Sequence, residues 1–179
     1  MKKISLLILV VLLTSHFSCE RDDICPETTS TTPRLIIDLY DFSNQEEKKN
    51  VIDFRVQGVD NDEVLPDYNV IKATNNIILP LRTDTNKTEY MLHIDYAVND
   101  NGTPDNTDDD FTEGNQDIIS INYTTEEVYV SRACGYKTIF KNVTLSIVSD
   151  NDNWIKLKES VTENQSVEDE TTTHFNLYH

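Results

Sequence analysis

The residues of this chain whose types could do chemistry are four histidines, a serine three positions before a cysteine, and a run of aspartates. His93 and Asp95 share one face of an extended stretch, a spacing that lets a carboxylate orient an imidazole for proton transfer. The same spacing describes a polar patch on the surface of a strand. His174 alternates with Phe175 and is expected to face solvent, while His16 falls in an apolar leader. Ser131, in Val130-Ser131-Arg132-Ala133-Cys134-Gly135, lacks the strand–turn–helix setting of a nucleophile elbow. Cys134 has no histidine near it in sequence, and no glycine-rich phosphate loop, His-x-x-x-His pair or close cysteine pair occurs. A hydrolase is the least supported class, and no catalytic residue is assigned.

The aspartates lie in Asn99-Asp100-Asn101-Gly102-Thr103-Pro104-Asp105-Asn106-Thr107-Asp108-Asp109-Asp110. Calcium takes six to eight oxygen ligands, which an acidic loop folded around a glycine can supply. With Gly102 at the sixth position of an EF-hand loop, Ala97 falls on the first ligand and Asp108 on the twelfth, so that template fails at both ends. The spacing of Gly102, Asp105 and Asp108 resembles the aspartate-rich repeat of thrombospondin type 3. That resemblance implies a calcium ligand set drawn from Asp100, Asp105, Asp108 and Asp110. Only one copy is present, and a solvated connection between two strands is the preferred reading of the loop, with calcium as the alternative.

The cysteines are read together with the N-terminus. Lys2 and Lys3 precede an apolar run from Ile4 to Leu13, and Ser18 precedes Cys19. That is a charged n-region, a short h-region and a small residue before a cysteine, so residues 1–18 read as a signal peptide rather than a spanning helix. Cys19 is the expected lipid attachment site of a bacterial lipoprotein, although His16 and Phe17 depart from the usual lipobox. Glu20-Arg21-Asp22-Asp23 resembles the acidic signal that carries Bacteroidota lipoproteins to the cell surface. If Cys19 is acylated, Cys25 and Cys134 are left as an even pair in an oxidising compartment and are expected to form a disulfide. No other cofactor is implied.

Strands must position these groups. Alternation of period two runs through Glu89 to Val98, with Tyr90, Leu92, Ile94, Tyr96 and Val98 on one face and Met91, His93, Asp95 and Ala97 on the other. Val51 to Gln57 is expected to turn Ile52, Phe54 and Val56 inward. Further strands are expected at Leu35–Tyr40, Ile77–Leu81, Tyr136–Phe140, Val143–Val148, Trp154–Leu157 and Thr172–Leu177. Ile119, Ile121 and Tyr123 are expected to lead through Thr124-Thr125-Glu126-Glu127 into Val128-Tyr129-Val130 as a hairpin. Asn44–Asn50 is expected to form a short helical turn, and Val161–Glu170 a loop. The fold class is all-β: an antiparallel sandwich of eight or nine strands with one disulfide, the immunoglobulin domain being its nearest template. Residues 19–32 form a tether and 33–179 the domain. Trp154 is expected in the core; a sugar-stacking platform with Tyr129 and Tyr136 is the alternative.

Charge excludes some partners. The net charge of −17 becomes about −19 once Lys2 and Lys3 are removed, which repels phosphate backbones and excludes nucleic acid as a partner. It also favours a soluble, monomeric domain.

Cys19 with its acidic tether, Cys25, Thr32-Pro33-Arg34-Leu35-Ile36-Ile37, Leu79-Pro80-Leu81 and the segment Val130 to Tyr136 are together similar to a family of small Bacteroidota cell-envelope lipoproteins of unknown function. The resemblance implies a lipoprotein with a β domain; outer-membrane attachment facing the cell surface follows from the acidic signal after Cys19, with periplasm-facing attachment as the alternative. The resemblance lends no activity. The sequence is therefore read as a non-enzymatic binding or structural module, with a calcium- or glycan-binding surface lipoprotein as the alternative, and with a co-encoded envelope protein as a partner class.

Overall fold

The computed structural model describes residues 24–29, 31–161 and 163–179. The leader 1–18 and Cys19 lie outside the described residues. Nine strands form two sheets: β1 (Leu35–Tyr40), β2 (Val51–Gly58), β3 (Ile71–Thr74), β4 (Asn76–Leu79), β5 (Lys87–Asn99), β6 (Phe111–Ser131), β7 (Gly135–Val148), β8 (Leu157–Ser160) and β9 (Phe175–Tyr178). One sheet has the order β4-β1-β9-β8 and the other β3-β2-β5-β6-β7. All pairings are antiparallel except β1 with β9, so the expected sandwich is present. Among the described residues, no helix is long and apolar enough to cross a membrane.

The core is one cluster to which both sheets contribute. Leu35, Ile37, Leu39, Ile77, Leu79 and Leu177 from the first sheet meet Phe54, Val56, Leu92, Ile119, Ile121 and Leu145 from the second. β1 is apolar almost throughout and buried on both faces, with Leu35, Ile37 and Leu39 in the core and Asp38 on the other face covered by Lys48 and Thr173. Trp154 is 6% exposed and donates its indole N–H to the Leu92 carbonyl at 3.1 Å, so the core reading of this residue holds.

Three expectations are corrected by left-handed residues inside strands. Asp53 has φ 42° in β2, although the β2–β3 register stays constant from Ile52↔Ala73 to Phe54↔Ile71. Burial changes phase across this twisted residue, so Ile52 is exposed and Val51 lies in the core with Phe54 and Val56. Asp95, φ 52°, does the same in β5, where pairing with β6 jumps from Ile94 to Ala97. Val98 is consequently exposed rather than inward. Asn142, φ 53°, bends β7 where the register slips between Asn122 and Thr124, so the two strands expected at 136–140 and 143–148 are one bulged strand. Aspartate and asparagine tolerate this backbone region better than other side-chain-bearing residues.

The polar run Thr124-Thr125-Glu126-Glu127 is not a hairpin turn. It continues β6, pairing with Lys141, Phe140, Ile139 and Thr138 of β7, and the chain reverses at Arg132-Ala133-Cys134 instead. Gly135 at φ 70° closes that three-residue turn, a position where a β-carbon is disfavoured. Asn44–Asn50 forms a turn closed by the Glu47 N–H on the Asn44 carbonyl, not a helical segment. The loop 161–170 holds one core residue: Val167 is fully buried and exchanges both backbone hydrogen bonds with Phe140.

Candidate functional site

The titratable groups singled out by sequence are spent on the backbone. His93 is 9% exposed, not on a polar face, because the Asp95 bulge folds Tyr96 against it with ring centroids 5.0 Å apart. Its Nε2 sits 2.9 Å from the Glu113 carbonyl, and burial lowers its pKa below that of a free imidazole. Asp95 remains exposed, and His93 bonds Glu113 rather than this neighbour. His174 was expected in solvent and is instead 2% exposed: its Nδ1 accepts the Ile36 N–H at 3.0 Å, where the chain leaves the end of β1's ladder. Burial lowers its pKa too. His179 packs edge-on to the Trp154 ring at 5.6 Å and is likewise lowered by burial. Ser131 Oγ accepts the Cys134 N–H at 3.1 Å and so closes the β6–β7 turn.

Two buried carboxylates do comparable work. Asp117 is fully buried, and its two oxygens accept the N–H groups of Trp154 at 3.1 Å and Ile155 at 2.9 Å, which seats the Trp154 segment on β6. Burial raises its pKa against those two bonds. Sequence parity carried this signal, since Asp117 shares phase with the inward Ile119, Ile121 and Tyr123. Asp38, on β1, would be raised by burial, but bonds from Lys48, Asn76 and Thr173 hold it below the usual carboxylate range.

The loop between β5 and β6 is knit by its own side chains. Asp109, absent from the expected ligand set, is the hub: its carboxylate accepts the Thr103 hydroxyl at 2.9 Å, the Asn106 amide at 3.0 Å and the Asn101 amide at 3.3 Å. Asp100 accepts the Gly102 N–H at 3.1 Å as an Asx turn. Asp100, Asp105 and Asp108 stay exposed, and among the described residues no group of three or more His, Cys, Asp or Glu side chains is placed to hold a metal ion. A polar groove between Gly58–Pro66 and Arg82–Tyr90 has its cations paired, Arg82 with Asp84 at 2.7 Å and Lys87 with Glu89 at 2.8 Å.

What the structure does assemble is the junction between tether and sandwich. Cys25 and Cys134 are bonded, with Cα atoms 4.8 Å apart, so the disulfide expected from the cysteine count is present. It joins the N-terminal segment to the β6–β7 turn at the sandwich's edge, unlike the core disulfide of antibody domains. The same segment is held further by the Thr32 hydroxyl oxygen, which accepts the Thr138 N–H at 3.1 Å. Arg34 then clamps Glu170 with two side-chain bonds at 2.9 and 2.7 Å. Beside the disulfide, Tyr129 and Tyr136 pair across the strands with centroids 5.4 Å apart and remain 58% and 66% exposed. Trp154 does not share this surface. Asp117, which holds it, is twelve positions from Tyr129 on β6, about 40 Å at ~3.3 Å per residue.

Residues 53–179 match the model of a family of unknown function, DUF6452. Neither a curated protein nor a solved structure matches the chain.

Proposed function

Starting from a chain that belongs to DUF6452, a family of unknown function, we propose that this member is a non-enzymatic binding or structural module of the bacterial cell envelope, attached to the outer membrane by lipid on Cys19 and facing the cell surface. The observation that carries this reading is the Cys25–Cys134 disulfide. Such bonds persist in oxidising compartments and are rare where glutathione keeps thiols reduced, so the bond supports export. Of the three cysteines it leaves Cys19, six residues before the pinned segment and directly after a signal-like run. Two or more acyl chains on that residue give stable attachment at ~0.8 kcal/mol per buried methylene.

The non-enzymatic part rests on how the candidate groups are used. The imidazole of His93 is buried against the Glu113 carbonyl, that of His174 accepts the Ile36 N–H, and the Asp117 carboxylate takes two amides, so each is used to hold the backbone. The high negative charge supports a monomer, and a co-encoded envelope protein is the proposed partner class. Inhibiting the lipoprotein signal peptidase in producing cells tests the reading. The precursor should accumulate, and Cys19→Ala should move the protein from the membrane to the soluble envelope fraction. Normal maturation under inhibition would overturn it.

A further inference from the structure

We propose that the tip of the β6–β7 hairpin is a membrane-facing surface, with Tyr129, Tyr136 and Ile24 seated at the headgroup–acyl boundary of the bilayer that holds the chain's own lipid; this rests on acylation of Cys19. Three observations meet here. Ile24, Tyr129 and Tyr136 are 75%, 58% and 66% exposed, an apolar and aromatic patch on an otherwise acidic protein. Ile24 and Tyr129 line one groove with Pro26, Val130 and Ala133, which Thr29, Ser131 and Arg132 border with polar groups. The disulfide fixes the patch to the end of the tether, for Cys134 lies two residues from Tyr136 and is bonded to Cys25, the neighbour of Ile24.

Geometry supplies the occupant. The six steps from Cys19 to Cys25 span at most about 20 Å at ~3.5 Å per residue. The patch therefore lies no more than about 20 Å from the acylated residue, while Phe111 at the other end of β6 lies eighteen positions away, on the order of 50–60 Å. Tyrosine suits the site because its ring is apolar and its hydroxyl polar, the combination that places it at membrane–water interfaces. Glu127 is two positions behind Tyr129, about 7 Å along the strand, so its carboxylate remains in the hydrated layer. A bridge between Cys25 and the hairpin turn, rather than elsewhere on the sandwich, sets the domain upright on this tip.

The test uses the mature lipidated protein in phosphatidylethanolamine–phosphatidylglycerol vesicles containing a phosphatidylcholine brominated near the glycerol end of its acyl chains. Tyr129→Trp adds an indole at the tip, Phe111→Trp adds one at the far end, and the native Trp154 is the internal reference. The Tyr129→Trp emission should fall by about half, the depth expected of an interfacial ring, with Phe111→Trp and the unsubstituted protein unchanged. Tyr136→Trp repeats the reading should Tyr129→Trp fold poorly. Equal, negligible quenching at both ends in protein whose mass shows acylation overturns the seated tip and leaves the lipid anchor standing. Protein that matures without acyl mass overturns both. A glycan ligand lost on Tyr129→Ala and Tyr136→Ala would assign the patch to sugar and also overturn the proposal.

Discussion

Removing the disulfide with Cys25→Ser and Cys134→Ser together should destabilise the domain by about 2–4 kcal/mol. The bond closes a loop with a sequence separation of 109 residues. In the chain-entropy relation a loop of that size restricts the unfolded state by about 4.8 kcal/mol at room temperature. Part of this returns when the bond is absent, because residues 24–29 are almost all exposed and would fray in the folded state. Thr32 and Arg34 would hold the chain from that point on. For a domain of this length the loss corresponds to a fall of roughly 5–15 °C in melting temperature. Equilibrium unfolding followed by the fluorescence of Trp154, the chain's single, buried tryptophan, measures it directly. Reducing the unsubstituted protein should reproduce the variant's midpoint. An unchanged midpoint in both would refute the reasoning that the tether is stapled to the fold.

Other perturbations probe the sandwich itself. Asp117→Ala leaves the buried N–H groups of Trp154 and Ile155 without acceptors and should cost about 2–5 kcal/mol, against a smaller loss for Asp117→Asn, measured by urea unfolding. Gly114→Ala places a β-carbon 2.3 Å from the Ile94 carbonyl at φ 103°, opposite the Asp95 bulge, and should cost about 2–4 kcal/mol in the same assay. Burial lowers the folded-state pKa of His93, His174 and His179, so the unfolded chain takes up protons first. Their contribution is intact above pH ~6.5 and is lost as pH falls below it. Asp117, raised by burial, acts in the opposite sense in the acid range. Thermal melts between pH 7.5 and 5.5 should therefore show a falling midpoint, less steep in His174→Asn. Millimolar calcium should leave the melting temperature unchanged, because Asp109 already serves the loop's own donors; a rise abolished by Asp105→Ala would contradict this.

Alternation located the strands wherever the ladder is regular, as from Tyr90 to Leu92 and Ile119 to Tyr123. It failed near Asp53, Asp95 and Asn142, where a left-handed residue breaks the alternation, with an inserted residue in the pairing at the latter two. Each is an Asp or Asn within an apolar run, a detectable sign, but period-two reading assumes an unbroken pleat. The polar run 124–127 misled for another reason: its side chains are exposed, so nothing in its own composition reveals that β7 pairs with it. His174 could not be placed because its burial depends on the Ile36 amide, far away in sequence. The cysteine arithmetic succeeded because it needs only a count and a compartment. Asp109 was missed because its role is as an acceptor for Thr103 and Asn106, chemistry that a search for metal ligands does not weigh.

The central claim is that this sandwich is stapled to a lipid-bearing N-terminus. Intact-mass and peptide analysis of the protein extracted from outer membranes tests it most directly. The account predicts a chain beginning at Cys19, carrying the mass of acyl modification on that residue, with Cys25 and Cys134 bonded. An unmodified Cys19 or a retained leader would contradict it.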